Sequence, residues 1–340
     1  MRRALVTGAT GLVGSHVVER LAASGCEVRA LVRDPAAAAW LARLGATPYA
    51  GDLHDAASVR RAATGCDAVY HTAAAVTGAG GWEAYRHANV DGTRAVVDAA
   101  AGAGARLLHL SSVAVFGSAR YTGAGRAVDE STPLAPLPTR DFYGRSKREA
   151  ESLVLAAHRE GRVWATAIRP CVIYGPRDRQ FVPRFARLAA AGAMPLVGGG
   201  ARRFAVVHAA SVADAAVRAA ASDAAGGQAY VTANDGDVSY EEFARLAAAG
   251  LGRTARFVRL PYALASGGVG VARRAAALAG ADDLAGRLGA ALDFIARDNP
   301  FSSARAAREL AWTPAVAHAD AVPAAFRWWA EQRAAAPAGR

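Results

Sequence analysis

Tyr143 and Lys147, in the segment YGRSK, place a phenol and an ammonium four residues apart. Residues at that spacing project from one face of a helix, and the pattern predicts a helix over 143–160. A cation beside a phenol lowers the phenol pKa from about 10 towards neutrality, as a general acid or base requires. Of the 40 lysines and arginines in the chain, Lys147 is the only lysine. Every other basic position has arginine, so a compact ammonium is used only at this position. This favours an acid–base pair over two surface side chains.

Ser111 and Ser112 follow a predicted strand over 105–111. Because sites in α/β proteins assemble at the carboxyl ends of parallel strands, a serine hydroxyl there is predicted to hydrogen-bond the reacting oxygen opposite Tyr143. The alternative is that the hydroxyl only caps the end of the strand.

A glycine-rich turn joins a predicted strand over 3–8 to a predicted helix over 11–24. Its sequence is Thr7-Gly8-Ala9-Thr10-Gly11-Leu12-Val13-Gly14. Glycine allows the backbone to turn tightly and approach a pyrophosphate, and the helix N-terminus supplies unpaired N–H donors. The strand, turn and helix stand in the required order, which predicts a dinucleotide site.

The residues after the next two predicted strands bear on the choice of dinucleotide. Arg33 follows the strand over 27–32 and could meet a 2′-phosphate, which favours NADP. The neighbouring Asp34 could instead bind a ribose hydroxyl, which leaves NAD open. Asp52, in Gly51-Asp52-Leu53, could accept a hydrogen bond from the adenine amino group or merely cap a helix.

The order of predicted elements indicates an α/β protein with a Rossmann-type doubly wound parallel sheet. Apolar strands alternate with helices, as expected when both faces of a parallel sheet are covered. The strands are predicted at 3–8, 27–32, 47–51, 67–72, 105–111 and 163–168. The helices are predicted at 11–24, 35–45, 55–63, 83–103 and 143–160, with a Gly/Pro-rich loop over 117–140.

Beyond residue 170 this alternation weakens, which predicts a smaller substrate-binding lid. The expected domains are a dinucleotide-binding core over 1–170 and a lid over 171–335, with segments near 204–232 returning to the core. The predicted helices are 180–192, 211–222, 239–249, 262–297 and 320–335, and the predicted strands are 204–208 and 228–232. An apolar lid could include Phe181, Phe185, Tyr262 and Leu264, or these side chains could be ordinary core.

Composition excludes several classes of protein. The chain is 53% hydrophobic and 20% charged, which indicates a globular protein, and its net charge of +11 comes from scattered arginines rather than a basic run with aromatics. We therefore expect no nucleic-acid partner, and no apolar run reaches the length of a membrane span. The three cysteines form no CxxC pair, which favours free thiols in the cytoplasm. His71, His109 and His208 lack metal-ligand spacing, so we expect no metal and place them in the core or beside the cofactor.

A set of motifs then occurs in a familiar order: TGATGLVG, GDL, HTAA, NVDGT, SSVAVFG, DESTPLAP, YGRSK and RPCVIYGP. Over nearly its whole length the chain resembles the extended short-chain dehydrogenase/reductase superfamily. The resemblance implies that Tyr143 is the catalytic acid/base, that Lys147 binds the nicotinamide ribose, and that Ser112 is the catalytic serine. It further implies an active-site support in Asn89, cofactor contacts for Ala73, Ala74 and Pro170, and a homodimer formed through the helices at 83–103 and 143–160.

At three places the sequence departs from the superfamily's patterns, and these departures bear on the class of substrate. Val113 and Ala114 stand where nucleotide-sugar dehydratases carry an Asp-Glu pair, and Val172 replaces an asparagine that reaches the sugar nucleotide. The stretch 202–205, RRFA, lacks the aspartate of the RDF-type segment common in those enzymes. All three losses disfavour a sugar nucleotide as substrate.

The last third of the chain resembles the 3β-hydroxysteroid dehydrogenase and dihydroflavonol-reductase-like branch. The segments that carry this resemblance are GPRDRQFVPRFARLAAAG and DNPFSSARAARELAWTP. It implies hydride transfer between a nicotinamide and a secondary alcohol or ketone of a bulky, largely apolar small molecule. The alternatives are a nucleotide-sugar 4-epimerase that retains NAD and a non-catalytic cofactor-sensing regulator.

Overall fold

The computed structural model of the chain describes residues 1–76, 80–121, 127–190, 193–198, 202–233, 238–278, 292–296 and 298–335. The strands are β1 Arg3–Thr7, β2 Glu27–Val32, β3 Ala46–Ala50, β4 Ala68–His71, β5 Arg106–Leu110, β6 Ala165–Pro170, β7 Val172–Tyr174, β8 Met194–Val197, β9 Val206–His208, β10 Ala229–Thr232 and β11 Phe257–Leu260. The helices are α1 Leu12–Ala22, α2 Ala56–Ala63, α3 Gly81–Tyr85, α4 Gly92–Ala103, α5 Phe142–Arg159, α6 Phe181–Ala190, α7 Ala209–Ala221, α8 Tyr240–Gly250, α9 Tyr262–Leu278, α10 Ala304–Leu310 and α11 His318–Ala335.

Seven parallel strands form the central sheet, in the order β10-β6-β5-β4-β1-β2-β3. Helix α1 packs against α7, whereas α2 packs against α4 and α4 against α5, so the helices form two separate groups. Apart from the edge strand β3, the strands are mostly buried, and apolar side chains such as Leu5, Val69 and Leu107 fill the core. This architecture confirms the prediction of a Rossmann-type doubly wound sheet.

The helix predicted over 35–45 is wrong. The Asp34 carboxylate accepts hydrogen bonds from the amides of Ala36 and Ala37, but the turn that follows does not continue as an α-helix. Gly45 has a φ of 89° and ends the segment, so only the short 3-10 helix Ala39–Leu44 fits between the two.

The helix predicted over 83–103 is interrupted. Between α3 and α4 the backbone makes a π-helical turn over Arg86–Asp91. Insertion of one residue into a helical turn rotates the following side chains, and such turns are frequent at functional sites. Asn89, which the sequence analysis singled out, lies in this turn.

Other elements differ from the sequence-based expectations. Strands β7, β8 and β11, which are only three or four residues long, were not predicted. Helix α10 was not predicted either. A 3-10 helical segment, Val113–Tyr121, overlaps the start of the predicted loop. Helix α9 covers the first part of the helix predicted over 262–297, and residues 279–291 of that prediction lie outside the described residues.

One compact unit of the chain contains residues 1–171, 207–233 and 301–315. Its third segment is tied to the second by buried hydrogen bonds. Ser303 Oγ lies 2.7 Å from both the amide and the carbonyl of Ala233, and the buried Trp312 indole donates to the Ser211 carbonyl at 2.9 Å. The sheet and its covering helices therefore depend on segments that are far apart in sequence.

A second compact unit contains residues 172–206, 234–300 and 316–340. Its core is an aromatic cluster in which rings meet edge-to-face at centroid distances of 5–6 Å, as in the contacts between Phe185, Phe204 and Phe243. Phe181 packs in the same cluster, whereas Tyr262 and Leu264 are exposed. Across the described parts of the chain, no helix is both long and apolar enough to cross a lipid bilayer.

Candidate active site

The predicted site residues lie where the central strands end. Strands β1, β4, β5 and β6 end at Thr7, His71, Leu110 and Pro170, and all four run parallel. Their carboxyl ends therefore share one edge of the sheet, where ligands of doubly wound folds bind.

The turn after β1 is sterically reserved for glycine. Gly8 has a φ of 71°, and a Cβ on it would lie 2.6 Å from the amide nitrogen of Ala73. A Cβ on Gly14 would lie 2.2 Å from the Gly8 carbonyl oxygen, and one on Gly11 would lie 3.1 Å from the same atom. The turn thus packs directly against the backbone that follows β4, at the predicted residue Ala73.

The N-terminus of α1 fits an anionic group. Gly11 occupies the N-cap position without a side-chain hydrogen bond, and the first turn carries no acidic residue. The first N–H groups of a helix have no partner inside the helix, and its dipole favours negative charge there. With Leu12 half-buried and Val13 buried beneath this turn, the residues fit the pyrophosphate of a dinucleotide.

Arg33 and Asp52 differ in how far their side chains are already engaged. Arg33 is exposed just after β2, and within the described chain its guanidinium makes no hydrogen bond or ion pair. Asp34 is occupied by the turn it closes. The Asp52 carboxylate accepts from the amide of His54 at 2.9 Å, and Leu53 packs onto the core beside Gly92.

Lys147 is buried, with only 2% of its surface exposed. Its Nζ donates to the carbonyl of Leu110 at 2.5 Å and lies 3.4 Å from Nε2 of His109. Burial lowers the pKa of the ammonium from 10.5 to about 8, against the opposing effect of the Glu151 carboxylate one turn further along α5. The end of β5 is thereby joined to the helix that carries Tyr143.

A buried ion pair joins α5 to β6. Arg169 donates to both oxygens of Glu151, at 2.9 and 2.6 Å, and its guanidinium lies 5.0 Å from the centre of the Phe116 ring. Both side chains are less than a tenth exposed. Removal of one partner would leave a buried uncompensated charge, so this pair fixes the helix rigidly against the sheet.

His109 must be neutral to accept a hydrogen bond from the Lys147 ammonium. Burial, and then the charge of Lys147, hold the pKa of its imidazole well below the usual value. Because Nε2 faces the ammonium, the ring proton resides on Nδ1. That atom, like the hydroxyl of Ser111, is buried without a hydrogen-bond partner in the described residues.

Asn89 joins the segment after β4 to helix α5. Its amide exchanges two hydrogen bonds with the backbone of Ala75, at 2.7 and 2.9 Å, and donates to Ser146 Oγ at 2.9 Å. Ser146 in turn donates to the carbonyl of Tyr143. The first turn of α5 is therefore positioned by a buried amide, in keeping with the supporting role that the resemblance implied.

His71 extends this network towards the glycine turn. Thr93 donates to the carbonyl of Asn89, so its oxygen accepts from His71 Nε2 at 2.9 Å. His71 Nδ1 then accepts from Thr7 Oγ1 at 2.7 Å. Burial lowers the pKa of His71 to about 3, so the ring stays neutral and keeps this direction of donors.

The remaining predicted residues lie at the same edge of the sheet. Tyr143 is half-buried in the first turn of α5, and Ser112 is half-buried after β5, where its Oγ accepts from the amide of Ala114 at 3.1 Å. Ala74 is exposed after β4, and Pro170 is buried at the end of β6. This contact uses the Ser112 oxygen as an acceptor and leaves its hydroxyl proton available for a second partner, so both interpretations of Ser112 stay open.

Several positioning residues were not identified from the sequence. Ser146, Thr93 and Arg169 have no distinctive local pattern, and only their contacts reveal what they hold. His208 accepts from the amide of Ala210 at the start of α7, an ordinary helix cap. No group of three or more potential metal ligands occurs in the parts of the chain that the structure describes.

Residues 4–233 match the NAD dependent epimerase/dehydratase family. The chain belongs to this family. One relative, the 4-hydroxy-2-methyl-3-oxo-4-farnesyl-3,4-dihydroquinoline-1-oxide ketoreductase of Stigmatella aurantiaca, is 33% identical over 99% of this chain and 98% of its own length. A 3beta-hydroxysteroid-dehydrogenase/decarboxylase of Arabidopsis thaliana is 30% identical over 76% of this chain and 50% of its own length.

The solved structure of gox2253 is similar to this chain across 98% of it, with a TM-score of 0.81 and 28% identity, and the match covers 99% of that structure. Membership of the epimerase/dehydratase family and full-length similarity to a ketoreductase make the chain an NAD(P)-dependent oxidoreductase. Its resemblance to the 3β-hydroxysteroid dehydrogenase-like branch is confirmed by the Arabidopsis relative.

Gly14→Ala tests the glycine turn of this family member. The added methyl group would meet the Gly8 carbonyl, so we expect the dissociation constant for NAD(P)H to rise at least about tenfold, measured by fluorescence titration. Gly102→Ala is the matched control, because nothing lies within 4 Å of that position in α4. Equal affinity in wild type and Gly14→Ala would contradict the expected steric role of Gly14.

The buried Lys147 gives stability a defined pH dependence. Between pH 8 and 10.5 the folded protein loses the lysine proton while the unfolded chain keeps it. The unfolded state then binds more protons, so the free energy of unfolding increases with pH. The free energy of unfolding of wild type, relative to that of Lys147→Met, should increase by up to about 1.4 kcal/mol per pH unit between pH 8 and 10.5. Urea unfolding measures both free energies.

Arg145→Met, on the same helix, is the control, since arginine remains charged throughout that range. Its stability difference from wild type should not vary between pH 8 and 10.5. If the stability difference between wild type and Lys147→Met is also independent of pH in this range, the ammonium of Lys147 is not buried with a lowered pKa.

Proposed function

We propose that the chain interconverts a ketone and a secondary alcohol on a bulky, largely apolar small molecule, with Tyr143, Ser112 and Lys147 as the catalytic residues. The observation that carries the proposal is the buried Lys147 ammonium, one helical turn from Tyr143 and hydrogen-bonded to the end of the strand that leads to Ser112. A lysine with only a surface role would stay in solvent, because burial of its charge costs free energy.

Tyr143 moves the proton of the reaction. Its phenol protonates the carbonyl oxygen during reduction and accepts the alcohol proton during oxidation. The Ser112 hydroxyl donates to the same oxygen and stabilises the charge that develops on it. Lys147 lowers the phenol pKa through its positive charge, which it retains below about pH 8.

The nicotinamide, when bound, donates or accepts the hydride. The turn formed by Thr7, Gly8, Gly11 and Gly14, with the N-terminus of α1, would hold its pyrophosphate. Asp52 and Leu53 would face the adenine, Ala73, Ala74 and Asn89 would border the middle of the cofactor, and Lys147 and Pro170 would lie at the nicotinamide end. In this proposal residues 1–170 supply most of the cofactor site and residues 171–335 most of the substrate site.

The substrate class is inferred from what the edge of the sheet lacks. Val113 and Ala114, both buried and apolar, occupy the positions at which dehydratases need acidic groups for water elimination. No proton donor or acceptor is available there, which supports simple hydride transfer. The similarity to a ketoreductase that acts on a farnesylated quinoline supports a bulky apolar ketone.

NADP is the proposed cofactor in preference to NAD. The free guanidinium of Arg33 could form charge-assisted hydrogen bonds to a 2′-phosphate, whereas the neighbouring Asp34 carboxylate is occupied by backbone amides. We also propose a cytoplasmic homodimer that associates through the helices at 81–103 and α5. Analytical ultracentrifugation tests the dimer.

A substrate panel tests the function directly. Hydroxysteroids are offered with NAD⁺ and NADP⁺, whereas flavonoid-like ketones, alkyl β-keto acids and UDP-sugars are offered with NADH and NADPH. In both directions the reduced cofactor is followed by absorbance. We expect turnover of apolar ketones, reduced about 10²- to 10⁴-fold in Tyr143→Phe with cofactor affinity unchanged. Tyr49→Phe, on β3, is the matched control and should keep full activity. Turnover of UDP-sugars alone, without net cofactor consumption, would instead identify an epimerase.

Arg33→Ser tests the cofactor preference. Loss of two charge-assisted hydrogen bonds should raise KM for NADPH about 10- to 100-fold and leave KM for NADH nearly unchanged. Arg43→Ser removes an exposed arginine from the same crossover connection and should affect neither cofactor. Equal changes for NADPH and NADH in Arg33→Ser would contradict a 2′-phosphate contact.

A further inference from the structure

Exposed apolar side chains are concentrated in one short part of the second unit. Nine large apolar side chains are exposed among the described residues, and five of them fall within 21 positions of sequence. These five are Val258, Tyr262, Leu264, Val271 and Leu278. Clustered exposure of this kind is unusual for a soluble surface and marks a region that contacts something apolar.

Helix α9 presents two distinct faces. Ala265 and Val269 pack against a small cluster that contains Val197 and Ala296, so one face is anchored to the unit. Leu264, Val271 and Leu278 are 68%, 67% and 91% exposed, and they follow one another at intervals of seven residues. Residues seven apart lie on one side of a helix, so these three form a continuous apolar outer stripe.

The charged residues between Glu242 and Asp282, the part of the sequence that includes this stripe, are of one sign. No acidic residue occurs from 243 to 281, whereas the same interval contains six arginines. Arg273 and Arg274 lie within α9 and are exposed, and neither pairs with a carboxylate in the described structure. Arg274 is three residues after Val271 and four before Leu278, which places it on the side of the stripe.

The positive charge of these arginines indicates what kind of partner this surface binds. A second copy of the chain would bring the same arginines against the stripe, and like charges at close range disfavour that pairing. The surface of an anionic bilayer offers phosphate groups for the guanidiniums and an acyl boundary for the apolar side chains. Helices that lie on membranes combine these two features.

We propose that the outer face of α9, defined by Leu264, Val271 and Leu278 with Arg274 beside them, binds the surface of an anionic lipid bilayer, and that the exposed Arg273 of the same helix adds to the attraction. The helix lies along the interface, with its apolar stripe at the acyl boundary and its arginines at the headgroups. This surface contains none of the proposed catalytic residues, and its binding to lipid does not depend on the proposed reaction. It would give the enzyme access to apolar molecules that partition into membranes.

Vesicle flotation tests the proposal with the intact protein. Wild type should float with vesicles of phosphatidylcholine mixed with phosphatidylglycerol, stay in solution with phosphatidylcholine alone, and be released by added salt. Each basic residue near an anionic surface contributes about 1 kcal/mol, so Arg273→Glu/Arg274→Glu should lower the partition coefficient at least about 20-fold. Leu264→Gln/Val271→Gln should lower it about tenfold or more.

Two matched variants control for net charge and for loss of apolar surface. Arg60→Glu/Arg61→Glu makes the same change in charge on the exposed end of α2, and Leu134→Gln removes an exposed leucine elsewhere. Both should bind as wild type does, and circular dichroism confirms that every variant is folded. The proposal is overturned if wild type fails to float with the anionic vesicles or if the controls lose binding equally. Loss of a dimer in Leu264→Gln/Val271→Gln, seen by ultracentrifugation, would also overturn it.

Discussion

A single buried ammonium, that of Lys147, constrains the compact unit that contains the central sheet. Removal of a charge from water costs several kcal/mol unless neighbouring groups replace the lost hydration. For Lys147 the replacement comes from the Leu110 carbonyl, the neutral imidazole of His109 and the more distant charge of Glu151. These groups lie on one strand and one helix, so both elements must keep their positions for the charge to be tolerated.

The neighbouring ion pair extends this constraint. Glu151 lies one turn beyond Lys147 on α5, and Arg169 binds it from β6. Two cations and one carboxylate thus occupy a narrow region between the helix and the sheet. Because Arg169 already binds both oxygens of that carboxylate, Glu151 cannot fully compensate Lys147, whose pKa accordingly remains lowered. The same geometry that rigidifies the helix keeps the ammonium only moderately basic.

The chemistry was easier to predict than the support around it. Tyr143, Lys147 and the glycine turn are short local patterns, and both the parallel sheet and the family followed from the sequence. The π-helical turn at Asn89 depends on contacts with Ala75 and Ser146, which are 14 and 57 residues away. The helix expected over 35–45 is reduced to the 3-10 helix Ala39–Leu44, which ends at the left-handed Gly45. Neither effect is visible in hydrophobic periodicity.

The discontinuity of the first unit has a consequence for synthesis on the ribosome. Strand β10, at one edge of the central sheet, pairs with β6 only after the intervening 58 residues between Pro170 and Ala229 have emerged. Ser303 and Trp312 reach back to Ala233 and Ser211 later still. The nascent chain therefore exposes the β6 edge of the sheet until residues 229–232 have been translated. Fragments that end near residue 171 would retain that edge and be prone to aggregate.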